Sequence, residues 1–305
     1  MFHKVIVAFD GSEQARDALV LGATLTASDG ELIVCCVHRF RTLSARVEPS
    51  APDLDREQAE HCVEEATQLL DGALRITPLL VAGVCGALAL QQTAEEQHAD
   101  LLVLGSSHRG AVGRVLVGSV TEETLHGAPC PVAVAPVGFH RSPNRPRIGS
   151  IAVAYDDGLQ AATALGVAGK LAAETGAHLQ VIAIANTATP LVLGSTADLA
   201  YSANVDSRVQ MAEHDLAAAI ASLPSGLRVT SEVRRGLPPE EILRSSHGVD
   251  LLVLGSRGRG PLRRIVLGSV SDAVVRAAAC PVLIVPPVVE TEGAAQRSSD
   301  TLAGA

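Results

Sequence analysis

Two glycine-rich segments hold the residues best suited to chemistry. Gly255-Ser256-Arg257-Gly258-Arg259-Gly260 directly follows the apolar run Leu251–Leu254. Nine residues then separate Gly258 from Gly268-Ser269, where a helical pattern starts. A glycine turn after a strand lets backbone N–H groups come close to phosphate oxygens. The unpaired amides at the start of the next helix favour the same anion. The two features converge on one phosphate-binding site. Glycines after strands also make plain tight turns, and Ser269 can simply cap its helix, so the loop alone leaves both readings open. The segment is not a Walker A loop, because no G-K-[ST] follows, and no G-x-G-x-x-G follows the first strand.

The elements that must position this loop are written twice. Residues 101–136 and 251–286 align without a gap, and 17 of their 36 positions are identical, which requires duplication of a whole domain. Val5–Asp10 corresponds more loosely to Ile151–Asp156. The reading is residues 1–137 as domain one, 138–147 as a Pro- and Arg-bearing linker, 148–287 as domain two and 288–305 as a disordered tail. In domain one, strands are expected at Val5–Phe9, Leu32–Val37, near Leu79–Val81, at Leu101–Leu104 and at Val132–Ala135. In domain two they are Ile151–Tyr155, Leu179–Ile184, Leu227–Val233, Leu251–Leu254 and Val282–Val285. Helical patterns lie between them, the first capped by Ser12 with Glu13 in its first turn. Strands this apolar are buried on both faces, which means an α/β fold with a parallel sheet covered by helices. The last strand of each unit would be an exposed apolar edge, so the two units are expected to pair or pack there.

Composition narrows the function. The chain has 305 residues, 47% hydrophobic and 19% charged, enough for two cores. Its net charge of −9 is the wrong sign for a general nucleic-acid or acidic-membrane surface. With no Trp, two Tyr and four Phe, a bound base must sit mainly against aliphatic side chains. No run of 18 uncharged apolar residues occurs, and no signal-peptide pattern opens the chain. The six cysteines show no C-x-x-C or zinc spacing, and the adjacent Cys35 and Cys36 inside an apolar run suit buried thiols in a reducing cytoplasm.

The spacing G-x2-G-x9-G-[ST], with an Asp closing the first strand, resembles the ATP-binding signature of the universal stress protein family. Gly255, Gly258, Gly268 and Ser269 match every fixed position. The V-x-G-S-x-[TS] run and the Cys-Pro before the last strand resemble that family in both units. The resemblance implies two tandem, Rossmann-like, open five-stranded parallel sheets of order 3-2-1-4-5 with helices on both faces. It also implies adenine-nucleotide binding and frequent dimerisation. By the same likeness, Asp10 and Asp156 lie near ribose and phosphates, and the backbone of Val37 and Ile184 meets adenine. Neither copy is complete. Unit one keeps Gly105, Gly118 and Ser119 but has His108 at the second glycine, and unit two replaces Asp10-Gly11-Ser12 with Asp156-Asp157-Gly158. Arg257 and Arg259 can pair with phosphate or face solvent. By its complete signature, unit two is the stronger expected ATP site.

The expected function is therefore ATP binding, with Mg²⁺ held through phosphate oxygens and Asp10 or Asp156, by a cytoplasmic sensor or regulator. An unknown regulatory protein partner and a homodimer go with it. No nucleophile–base pair or Walker lysine accompanies the aspartates, so hydrolysis is expected to be slow or absent. The competitor is a nucleotide-free interaction or scaffold protein of the same fold. A third reading, an adenylating enzyme of the wider adenine-nucleotide hydrolase-like class, lacks its S-G-G-x-D-S loop after the first strand.

Overall fold

The strand expectations meet a single ten-stranded sheet in the computed structural model, which describes residues 1–39, 54–70, 74–106, 118–142, 147–186, 195–256 and 264–287. Unit one contains β1 (Phe2–Ala8), α1 (Glu13–Leu25), β2 (Thr26–Arg39), α2 (Leu54–Leu69), β3 (Arg75–Gly83), α3 (Gly86–Glu96), β4 (Leu101–Gly105), α4 (Ser119–Leu125) and β5 (Val132–Ala135). Unit two repeats the order with β6 (Ser150–Tyr155), α5 (Leu159–Thr175), β7 (His178–Asn186), α6 (Ser195–Ala221), β8 (Val229–Gly236), α7 (Pro238–Ser245), β9 (Leu251–Gly255), α8 (Ser269–Ala277) and β10 (Val282–Val285).

The sheet order is β3-β2-β1-β4-β5-β10-β9-β6-β7-β8, so each half is an open parallel sheet of order 3-2-1-4-5. The halves join where β5 and β10 pair antiparallel, with Val282 opposite Val134 and Ile284 opposite Val132. Every residue of β5 and β10 is buried. The junction therefore covers two apolar edges that would otherwise template aggregation. One face of the sheet carries α1, α2, α5 and α6 over a core that runs through both units, from Val7 and Leu19 to Val153 and Leu165. The other face carries α3, α4, α7 and α8 over a second core built around Ile6, Leu104, Ile182 and Leu254. The outer strands β3 and β8 have only half-buried and exposed positions and carry Pro78 and Arg234-Arg235, the composition that blunts a free edge.

Two contacts tie loops to the body. Asp17 of α1, 1% exposed, accepts the backbone N–H groups of Gly138 at 2.9 Å and His140 at 2.8 Å, with His140 Nδ1 at 2.6 Å. Residues 138–141, read from the sequence as plain linker, thus form a 3₁₀ turn (Phe139–Arg141) docked on unit one. Ile265 of unit two lies in the core of α3, α4, α7 and α8, fully buried. Its N–H donates to the Ala128 carbonyl at 3.1 Å, and its carbonyl accepts from Gly127 at 2.9 Å. Arg264–Glu95 and Arg276–Glu122 ion pairs at 3.1 and 2.9 Å flank that crossing.

Candidate functional site

Parallel strands leave their carboxyl ends at one rim, and the reversal between β1 and β4 opens a crevice there. In unit one this crevice is a cleft of about 660 Å³. Ala8, Phe9 and Asp10 come from the end of β1, Val37 from β2, Gly83 from β3, Leu90 from α3, and Leu104, Gly105 and Ser106 from β4. Gly118, Ser119, Val120 and Thr121, at the start of α4, complete the lining. Aliphatic side chains, hydroxyls and backbone thus meet in one cleft, the mixture typical of small-molecule sites.

Of the residues read from the sequence, Asp10, Val37, Gly105, Gly118 and Ser119 meet in this one cleft. Asp10 also holds its own loop, since its Oδ1 accepts the Ser12 N–H at 3.0 Å. Ser12 in turn caps α1 by accepting from Ala15 N–H at 3.1 Å. In unit two Asp156 accepts the Gly158 N–H at 3.3 Å, but Gly158 gives α5 no side-chain cap. Asp157, at φ 62°, stands where Gly11 takes φ 79°. Ile184, Gly255, Gly268 and Ser269 occupy the matching ends of β7, β9 and α8. His108, Arg257, Gly258 and Arg259 lie outside the described residues.

Ser269 opens its helix as expected, and Ser119 does the same; the alternative of Ser269 as a cap does not hold, because the caps are Gly268 and Gly118, both extended and without a side-chain cap bond. The first signature glycine also has a packing duty. A Cβ on Gly105 would sit 2.2 Å from the Gln14 carbonyl oxygen, and one on Gly255 2.6 Å from that of Gln160. Neither glycine is in the left-handed region. Their small size lets α1 and α5 lie directly on the sheet, whatever the loop binds.

Other contributors escaped the sequence reading. Ser106 and Ser256, 3% and 1% exposed, have hydroxyls with no hydrogen-bond partner. A buried hydroxyl left unpaired costs roughly 1–3 kcal/mol, and Ser106 is one of the residues that line the cleft. Thr121 Oγ1 donates to the Gly105 carbonyl at 2.9 Å, and Ser271 Oγ to that of Gly255 at 3.3 Å, pinning the start of α4 and α8 to their strands. The repeated Leu-Gly-Ser triplet and the final [TS] of the V-x-G-S-x-[TS] run were the available signals.

The thiols divide by burial. Burial pushes Cys35, which lines the cleft, up to about 12, and does the same to Cys36, Cys130 and Cys280. These are packing groups, not nucleophiles, at neutral pH. Cys85 is exposed at the cleft rim, its Sγ 3.5 Å from Glu123 Oε2. No group of three or more His, Cys, Asp or Glu side chains suited to a metal occurs among the described residues. No described helix is long and apolar enough to cross a membrane.

Comparison with known proteins agrees with this geometry. The universal stress protein family model matches residues 1–136 and again 148–286. A universal stress protein of Mycobacterium tuberculosis is 28% identical over 293 residues, covering 92% of this chain and 96% of that protein. One from Thermus aquaticus is 36% identical over 136 residues, 43% of this chain and 97% of its own length. The crystal structure of a universal stress protein from Archaeoglobus fulgidus superposes with a TM-score of 0.66 at 23% identity, covering 93% of this chain and 98% of that one. With the family model matched twice, at the two halves of the sheet, the chain belongs to the universal stress protein family and carries two copies of its domain in tandem.

Proposed function

We propose that the chain binds ATP in the cleft of unit one and acts as a nucleotide-dependent sensor or regulator, with slow or no hydrolysis. The observation that carries this reading is the unpaired, buried hydroxyl of Ser106, a residue lining a 660 Å³ cleft that joins aliphatic side chains to hydroxyl groups and the Asp10 carboxylate. Ala8, Val37, Leu90 and Leu104 offer an apolar slot for the base, consistent with a chain poor in aromatics. Ser106, Ser119 and the backbone from Gly118 offer hydrogen bonds to the phosphates. Mg²⁺ fits as an ion carried by the phosphates, with Asp10 as the carboxylate at hand. A cytoplasmic location, a regulatory protein partner and a homodimer complete the proposal. Because β5 is already paired with β10, a homodimer of whole chains would use another surface.

The nucleotide-free reading has its own support. Val84 and Val120, which line the cleft, are 81% and 44% exposed, an apolar rim suited to a protein partner. Calorimetry of the full chain with Mg·ATP decides between them. Saturable binding lost in Gly118→Val supports the nucleotide reading. Absence of binding, with no adenine nucleotide released on denaturation, supports the scaffold.

A further inference from the structure

One short helix of unit one is engaged at both ends. α4 has seven residues, about 10 Å of helix. Its start belongs to the cleft: Gly118, Ser119, Val120, Thr121 and Glu123 are lining residues, and Thr121 Oγ1 donates to the Gly105 carbonyl at 2.9 Å. Its end is fastened to α3 by Gln91, which is 8% exposed. The Gln91 amide nitrogen is shared among the carbonyls of Glu123 at 2.9 Å, Thr124 at 3.2 Å and His126 at 3.0 Å.

Unit two grips that same end. Ile265 stands within the signature spacer between Gly258 and Gly268, just before the glycine that caps α8. Its N–H donates to the Ala128 carbonyl at 3.1 Å, and its carbonyl accepts the Gly127 N–H at 2.9 Å. Leu125, Ala128 and Ile265 are all fully buried in one core. Arg276, in the last turn of α8, pairs with Asp272 of its own helix and with Glu122 of α4, both at 2.9 Å. Glu122 lies between Thr121 and Glu123, two residues that line the cleft. The helices that follow the two signatures are therefore tied to one another.

We propose that Ile265 and Arg276 of unit two are positioning residues for the unit-one cleft, and that α4 couples a ligand held there to the signature segment of unit two. This rests on the ATP reading of unit one given above. A helix of two turns, hydrogen-bonded along its length, moves as one body. A ligand that fixes its start therefore also fixes Gly127 and Ala128 beyond its end. Those residues cannot slide gradually past Ile265, because a close-packed interior yields by discrete repacking. A shift of α4 must be taken up by Ile265 and by α8, or be resisted by them. Linkage makes the effect reciprocal. Whatever loosens the grip of Ile265 or Arg276 weakens binding in unit one by the factor with which the ligand tightens that grip.

The test uses the full chain. Calorimetry with Mg·ATP should show binding weakened about threefold by Arg276→Ala and unchanged by Arg264→Ala. The second substitution removes the same charge and an ion pair at the same seam, but its partner Glu95 lies on α3 and not on α4. Hydrogen exchange followed by NMR supplies a readout that a merely structural contact would not move. Mg·ATP should slow the Ile265 amide about fivefold or more and leave that of Leu179, bonded to the Arg228 carbonyl within unit two, unchanged. Gly118→Val should abolish the response at Ile265. The proposal is overturned if a chain that binds ATP shows no change at Ile265, if the change survives Gly118→Val, or if the two arginine variants bind ATP alike. Absence of ATP binding by the parent refutes the functional reading and the coupling with it, a result distinct from binding without a response at Ile265.

Discussion

Replacing Gly105 by alanine separates the two duties of the first signature glycine. The added Cβ would lie 2.2 Å from the Gln14 carbonyl oxygen and 2.8 Å from the Gln14 Cβ. Ordinary contact begins near 3.4 Å, so the first turn of α1 must move by about 1 Å away from β4. The nearest atoms are backbone, which cannot rotate aside. Overpacking of this kind costs about 1–3 kcal/mol, and the upper half of that range applies where a helix must shift. For a protein of this size about 2–3 kcal/mol corresponds to a fall in melting midpoint of roughly 4–10 °C. Gly86→Ala is the control. It lines the same cleft, but its Cβ would meet only Val120 at 3.6 Å, so its midpoint should stay within about 1 °C of the parent. Urea unfolding and differential scanning calorimetry without nucleotide make the comparison. Equal stability of Gly105→Ala and the parent would refute the packing argument and leave ligand approach as the sole reason for a glycine.

Maleimide at pH 7 should modify one thiol per native chain, Cys85, because burial pushes Cys35, Cys36, Cys130 and Cys280 up to about 12 and raises Cys62; mass spectrometry counts the adducts, which should rise to six in denaturant. The Glu13 carboxyl is held below its ordinary 4.5, first by its hydrogen bond from Arg141, so its contribution is present above that value and lost as pH falls through the lower folded one. Glu13→Gln should accordingly lower the melting midpoint slightly at pH 7, with the gap to the parent closing on acidification below 4.5. Ile265→Ala should cost about 2–5 kcal/mol, because a fully buried side chain leaves a cavity at the crossing between units; equilibrium unfolding measures it.

The parts of the fold legible in the sequence are those set by local pattern. Continuous apolar runs placed β4, β5, β6, β9 and β10 within one residue, β1 begins three residues before its expected start, and the Asp10–Ser12 turn and cap were readable from residue type. Even the β5–β10 junction followed from the liability of a bare apolar edge. β3 runs over Arg75–Gly83 and not merely near Leu79–Val81, since no residue of this outer strand is fully buried and its first half carries Arg75, Thr77 and Pro78. The polar start of β2 from Thr26 was hidden for a similar reason, lying beyond the register break between Phe2 and Lys4. Asp17 reads as a solvent-facing helix residue because its partners Gly138 and His140 are more than 120 positions away. In the candidate site the signature residues were visible, while Ser106 was not, because a serine after a strand gives no sign that its hydroxyl is buried and unpaired.

The seam at the centre of the sheet also sets an order of events during synthesis. Val134 finds its partner Val282 only after a further 148 residues have been made. At roughly 5–20 residues per second, that takes on the order of 10–30 s on the ribosome. Throughout that interval a folded unit one would present the four-residue edge Val132–Ala135, apolar and without a neighbour. A second nascent chain on the same message carries the identical edge a short distance away. Pairing of β5 with the β10 of its own chain therefore competes with β5–β5 or exchanged β5–β10 pairing between chains. Slow translation of the second unit lengthens the exposure, and a truncated transcript makes it permanent. The tandem arrangement thus converts a protection of the finished protein into a vulnerability of the unfinished one.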